Sequence, residues 1–273
     1  AMKMVAAAKL RRAQDAIVQL RPYADKLNEI QASVCAALRD TETENIYAQR
    51  KKGNGKVLIV VVTSNKGLCG AFNANVLRET RRIMDERYSQ ENSRGDLGVM
   101  TVGKKANDAL RKLKCNIIED QSDLYTELTF DRISALADKL MRLYVSKEYD
   151  TIEIVYNQFK NAAVQKLTNE VFLPVTMGTI SGQDSAPADY IYEPDQVRII
   201  SELIPKTLRI KLYRSLLDSF AAEHGARMTA MHQATDNATE LIRDLTLQYN
   251  KARQASITNQ LLEVVSGAEA LNG

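Results

Sequence analysis

Tryptophan is absent from this chain, histidine occurs twice, and only 5 prolines are spread through 273 residues. Each shortage excludes something. His224 and His232 stand eight positions apart, ~12 Å along a helix axis at ~1.5 Å per residue, so they cannot share a metal ion. Polar residues of this kind on a helix seam set register. The 3 cysteines, Cys35, Cys69 and Cys115, are odd in number and scattered without metal or redox spacing, which points to a reducing compartment. No apolar run is long enough to span a membrane. The opening residues, Ala1 to Ala8, meet Lys9, Arg11 and Arg12 too soon to form a signal peptide. A net charge of +3 is too small to require nucleic acid as a partner. What remains, at 45% hydrophobic and 26% charged residues, has the composition of a soluble protein with one large domain or two smaller ones.

The proline shortage is most informative near the C-terminus. From Lys206 to Ser266 there is no proline and a single glycine, Gly225. Those 61 residues would make roughly 90 Å of helix, whereas a compact chain of this size has a radius of gyration of about 19 Å. The helix is therefore expected to extend beyond its own globule. Its seam runs Tyr213, Leu217, Phe220, His224, Arg227, Met231, Ala234, Ala238, Leu241, Leu245, Gln248, Ala252, Ala255, Asn259, Leu262. Alternating steps of 4 and 3 give a 3.5-residue period, the pattern of a left-handed coiled coil. Near the end, Ile257, Leu261, Leu262, Val264 and Val265 are apolar on more than one face, which calls for enclosure by something outside the chain.

The first 50 or so residues carry a similar stripe in Leu10, Ala13, Ile17, Leu20, Ala24 and Leu27, interrupted by Pro22. This segment is the expected antiparallel partner of the C-terminal helix. Lys51 to Gly55 is a breaker, and Ser181 to Pro187 reads as a linker. Between them strands and helices alternate. Strands are expected at Val57–Thr63, Leu97–Val102, Cys115–Glu119, Thr151–Asn157 and near Val164–Val175, and helices at Phe72–Tyr88, Lys104–Leu113 and Phe130–Val145. The fold class is α/β: a long antiparallel coiled coil formed by the N- and C-terminal helices, with a Rossmann-like α/β domain inserted between them. The expected boundaries are 1–55 for the N-terminal helix, 56–187 for the α/β domain and 188–273 for the C-terminal helix.

Candidate chemistry is thin. Gly98 to Lys105 nearly spells a phosphate-binding P-loop, but Lys105 stands where a Ser or Thr should meet magnesium, and the intervening residues look like strand. Ser64 to Phe72 lies where a dinucleotide-binding loop would sit, yet it offers one Gly-x-x-Gly, Gly67 to Gly70, and reads as a tight strand-to-helix turn. Cys69 has no histidine near it in sequence to act as a base. The basic start, Lys3 to Arg12, reads as a solvated helix face, or more sharply as a contact for an acidic partner. No catalytic residue, metal site or cofactor is indicated.

Six stretches resemble the gamma subunit of F-type ATP synthase, in order and along the whole chain. They are Met2 to Lys9, Asn65 to Asn73, Tyr190 to Asp195, Ala226 to Met231, Ala234 to Ala238 and Asn250 to Thr258. The resemblance implies a central-stalk rotor. Its coiled coil would turn inside a ring of three alpha and three beta subunits. Its α/β domain would be the foot, bound to the epsilon subunit and the membrane c-ring. It further implies that Met2, Arg227, Arg253, Gln254, Thr258 and Gln260 face the alpha–beta ring, and that Tyr190 and Glu193 lie near the c-ring. Asn65 replaces a common Asp and Gln260 a common Glu. Residues that the family has before Ala1 are expected but absent, and no inserted dithiol segment is visible. The implied location is peripheral, on the cytoplasmic face of a bacterial inner membrane or the matrix side of a mitochondrial one. Two other readings stay open: a static coiled-coil adaptor with an α/β head, and a nucleotide-dependent α/β enzyme.

Overall fold

The computed structural model describes residues 2–37, 46–47, 55–175 and 196–272. The element order is α1 (Met2–Ala37), β1 (Val57–Val62), α2 (Phe72–Arg82), α3 (Ser89–Arg94), β2 (Leu97–Val102), α4 (Lys104–Lys112), β3 (Ile117–Asp120), α5 (Phe130–Val145), β4 (Thr151–Phe159), β5 (Gln165–Leu173) and α6 (Gln196–Asn272). The chain divides into two compact units, Ala1–Thr229 and Ala230–Gly273.

The sheet has the order β3-β2-β1-β4-β5, with the first four strands parallel and β5 antiparallel to β4. β1 and β2 are buried at every position, and β1 accordingly reads as an unbroken apolar run. The two faces separate by the strand period of 2. Leu58, Val60 and Val62 join α5 and the α6 residues Ile204, Leu208, Leu212 and Leu216 in one core. Val57, Ile59 and Val61 face the other way, with Val76 of α2 and Leu110 of α4.

α1 packs antiparallel on α6. Leu10 and Ala13 meet Ala221, whereas Ala24 and Leu27 meet Ile210, so the numbering rises on one helix as it falls on the other. Every member of the N-terminal stripe from Leu10 to Leu27 is buried or half-buried. Pro22 lies inside α1 without ending it.

Four expectations are corrected. α6 begins at Gln196, ten positions before Lys206, and runs through Pro205. The proline removes one backbone hydrogen bond, but Ile204 and Leu208 on either side are locked in the main core. The helix expected over Phe72–Tyr88 is two pieces, α2 and a π-helical turn at Ile83–Arg87, and the short α3 follows it beyond Tyr88. β3 starts at Ile117 rather than Cys115, because Lys114 takes a left-handed φ of 55° and the Cys115 N–H is spent on the Leu110 carbonyl. β4 runs on to Phe159 rather than ending at Asn157, paired with β5 as far as Gln165. The linker at Ser181–Pro187 and the pair Tyr190 and Glu193 lie outside the described residues.

Candidate functional site

In a doubly wound sheet, ligands bind at the carboxyl ends of the strands where the order reverses, here between β1 and β4. That crevice is filled by the chain's own α6. Ala222 packs on Cys69 and Phe72 of the turn after β1, with Phe159 at the end of β4 beside them. Ala221 and Met228 gather around Phe159 and Ala162 of the β4–β5 hairpin. Gly225 permits this approach, since a Cβ there would stand 3.2 Å from both the Cα and the carbonyl oxygen of Ala162.

The two phosphate-like motifs are used structurally. Gly98 lies in a buried strand, where a Cβ would stand 2.2 Å from Cδ1 of Ile118. Gly103 has φ 116°, and a Cβ would stand 2.0 Å from the Thr63 carbonyl oxygen. The α4 N-terminus, whose free amides would hold a phosphate, is already capped. The Lys104 N–H donates to Oδ1 of Asn65 at 2.9 Å, and the Ala106 N–H to Oγ1 of Thr63 at 2.8 Å. Asn65 thus caps α4 from the turn after β1.

The turn at Ser64–Phe72 is closed on itself. Ser64 Oγ donates to the Lys66 carbonyl at 2.6 Å, the Ser64 N–H donates to Oδ1 of Asn73 at 3.0 Å, and the buried Cys69 Sγ receives Nδ2 of Asn73 at 3.2 Å. Leu68 takes φ 62° and Gly70 φ 58°. The effect is to aim carbonyl oxygens outward, the wrong polarity for a phosphate and the right one for a guanidinium.

Arg227 supplies it. Its Nη2 donates to the Lys66 carbonyl at 2.9 Å and the Gly67 carbonyl at 3.1 Å, and Nε reaches the Gly67 carbonyl at 3.3 Å. Nη1 pairs with the Glu223 carboxylate and donates to Nδ1 of His224 at 3.3 Å. The Arg227 side chain is only 12% exposed. The resemblance implies that Arg227 faces a surrounding ring, but here its donors are committed within the chain.

Burial sets the charges around it. Glu223 is pushed above the ordinary carboxylate range by desolvation, against the pull of Arg227 and Lys9. His224 is pushed down to about 4, by burial first and then by Arg227 and Lys9. Its ring stacks edge-on against Phe220, with centroids 4.4 Å apart. A neutral imidazole can accept from Arg227 at Nδ1, which an imidazolium cannot. Beyond it, Tyr125 Oη and Ser219 Oγ are 3.1 Å apart. Glu223 escaped sequence reading, although its spacing of four from Arg227 on a helix was a visible signal. His224 is a seam residue as expected, and it also orients the guanidinium.

The other expected ring-facing residues lie apart from this cluster. Met2 is 60% exposed at the start of α1. Arg253, Gln254, Thr258 and Gln260 are exposed on the second unit's helix, where the Thr258 hydroxyl donates to the Gln254 carbonyl at 2.9 Å. Every residue from 232 to 270 is exposed. Among them Leu241, Ile242, Leu245, Leu247, Tyr249, Leu261 and Val264 are each more than half exposed. Among the described residues no cluster of His, Cys, Asp and Glu could hold a metal, and no helix is long and apolar enough to cross a membrane.

Sheet topology, filled crevice and exposed apolar helix together define a class: an α/β domain built onto a terminal helix pair, with an unpartnered helical surface. Comparison with known proteins narrows it. The model of the ATP synthase family matches residues 1–271. The ATP synthase gamma chain of Christiangramia forsetii is 50% identical over 273 residues, covering 100% of this chain and 92% of that one. The chain belongs to the ATP synthase gamma chain family. Two solved structures share the fold. One is a chain from the central stalk and c-ring of the Tetrahymena thermophila mitochondrial ATP synthase, with a TM-score of 0.61 at 24% identity, covering 86% of this chain and 97% of that chain. The other is from the Euglena gracilis mitochondrial ATP synthase, with a TM-score of 0.61 at 20% identity, covering 97% and 95%.

Proposed function

We propose that this chain is the central-stalk rotor of a proton-translocating ATP synthase, peripheral to the membrane and passing torque between a c-ring and the catalytic sites of an alpha–beta ring. The observation that carries this reading is the apolar surface of residues 232–270, exposed on every face of a single continuous helix. A monomeric protein rarely leaves so much apolar surface uncovered, and such surfaces mark interaction sites. Family membership supplies the partner. Residues 1–55 and 188–273 act as the shaft and 56–187 as the foot, which meets the epsilon subunit and, through Tyr190 and Glu193, the c-ring. Met2, Arg253, Gln254, Thr258 and Gln260, together with the apolar residues around them, face the ring. Charged and amide side chains on a stiff helix supply charge-assisted hydrogen bonds that strengthen and weaken as the ring changes shape. Bacterial relatives support the cytoplasmic face of an inner membrane as the location.

Reconstitution with alpha and beta subunits tests the proposal. ATP turnover is expected to depend on this chain, and truncation after Gln254 is expected to weaken assembly and coupled ATP synthesis. A static adaptor would leave turnover independent of the chain, and a nucleotide-dependent enzyme would bind nucleotide without a ring.

A further inference from the structure

We infer that Arg227 is a positioning residue that latches α6 to the α/β domain, and that this latch transmits torque between foot and shaft; the torque role rests on the rotor reading above. Torque applied to an α/β domain reaches a helix only through the contacts that stop the helix turning against it. Nearer its start, α6 is keyed into the main core by Ile204, Leu208, Leu212 and Leu216 and bonded to Asp138 and the Val171 carbonyl through Arg209 and Lys211. Farther along, at the exit from the domain, the small residues Ala221, Ala222 and Ala226 pack without such teeth, and apolar packing is non-directional. Directional bonds far from the axis prevent rotation there. Arg227 is the longest side chain on this face, and it makes three donor contacts to the backbone of the Lys66–Gly67 turn. Backbone carbonyls of a closed turn are a firmer anchor than flexible side chains. Ser64, Cys69 and Asn73 hold that turn rigid, and Asn65 ties it to α4.

The neighbours aim the guanidinium. Glu223 holds Nη1 from one helical turn below, and His224 accepts from the same nitrogen. Across the helix, Thr229 Oγ1 lies 3.2 Å from the Ala162 carbonyl and 3.2 Å from the Gly225 carbonyl of its own helix, so its hydroxyl is shared between the hairpin and α6. The latch therefore grips α6 from both lips of the crevice that a ligand would otherwise occupy.

The test separates the latch from a direct ring contact. Arg227→Met keeps volume and removes every donor; Arg227→Lys keeps the charge and a shorter reach. In the isolated full chain, hydrogen exchange at residues 64–72 is expected to rise about tenfold in Arg227→Met, the loss of about one charge-assisted hydrogen bond, with partial restoration in Arg227→Lys. No ring is present there, so a ring contact would not move this readout. In the complex with alpha and beta subunits, a load is attached to the α/β domain. Rotation of the loaded domain by Arg227→Met is expected to slow at least twofold more than unloaded ATP hydrolysis. Unchanged exchange at 64–72 overturns the latch. Equal losses in loaded and unloaded turnover overturn its torque role and make Arg227 a ring contact. Absence of rotation with the unsubstituted chain would sink the rotor reading, while the exchange result still decides the latch. If Arg227→Met fails to fold, Thr229→Val, which removes the hairpin-side bond, takes its place with exchange read at 160–164, and unchanged exchange there counts against the latch.

Discussion

One helix carries two kinds of surface. In its buried half, Leu212, Leu216, Ala221 and Ala222 have no exposure at all, and even Ser219, Glu223 and His224 are enclosed. In residues 232–270 nothing is enclosed, though Leu, Ile, Val and Tyr recur through the stretch. The two halves are both helical, and apolar residues run through both. Two environments account for one apolar pattern: the first is supplied by this chain, and the second, on the proposed function, by other polypeptides. A helix in water gains little from its own propensity and depends on packing for stability, and on the proposed function the exposed half finds that packing in assembly.

The comparison can be broken at several points, and the largest effect belongs to the buried half. Leu212→Ala and Leu216→Ala are each expected to destabilise the isolated chain by about 3 kcal/mol, through lost burial and the cavity left behind. Leu262→Ala is expected to change it by less than about 0.5 kcal/mol. Urea denaturation midpoints check both, and similar costs at the two sites would erase the distinction.

The glycines give the next contrast. Gly225→Leu drives a side chain into Ala162 of the hairpin and is expected to cost about 2 kcal/mol. Gly267 has nothing within 4 Å of a built Cβ, so Gly267→Ala is expected to strengthen the helix by up to about 1 kcal/mol. Far-UV circular dichroism melts of the two variants should move in opposite directions.

Acid provides a subtler separation. His224 is neutral in the folded state down to about pH 4, against an ordinary value of 6.5, so its contribution to stability is lost as pH falls through that window. Asp218 is raised to about 6 by burial, against Arg214, with Glu170 raising it further and Arg21 opposing. Its contribution is greatest at low pH and is lost as pH rises through 6. Glu223, also raised, acts in the same sense as Asp218. Asp218→Asn is therefore expected to steepen the fall in stability between pH 6.5 and 4, and His224→Gln to flatten it. His232, exposed and 3.4 Å from Asp236, is the control in the other half, and His232→Gln is expected to shift stability by less than about 0.5 kcal/mol. Denaturation midpoints across this range decide the signs.

Much of the fold was legible because its signals are local. α5 begins and ends at Phe130 and Val145 as read, since an amphipathic stripe and its flanking residues define it. β1 announces itself as a doubly buried strand through its unbroken apolar run. The π-helical turn at Ile83–Arg87 did not, because its cause lies far along the chain. Glu153, buried on β4, accepts from Arg87 at 2.8 Å, from Tyr88 at 2.5 Å and from Asn169 at 2.8 Å, and this network draws the end of the helix out of register. No pattern within residues 83–94 encodes a partner at position 153.

The site divides in the same way. Exposure at Arg253, Gln254 and Thr258 goes with a stretch of helix that has no partner among the described residues. The contacts of Arg227 with the Lys66 and Gly67 carbonyls did not follow, because a motif names a residue without saying what it touches. The carbonyls that receive it come from a turn some 160 residues away, 160 for Gly67 and 161 for Lys66.

Hydrogen exchange along α6, compared between the isolated chain and its complex with alpha and beta subunits, reads the enclosure of residues 232–270 itself. Amides of residues 232–270 are expected to exchange fast in isolation and to gain strong protection on assembly, while those of 204–225 are already protected and change little. Fast exchange at 232–270 inside the assembled complex would contradict the account, since the exposed half would then have no enclosing partner.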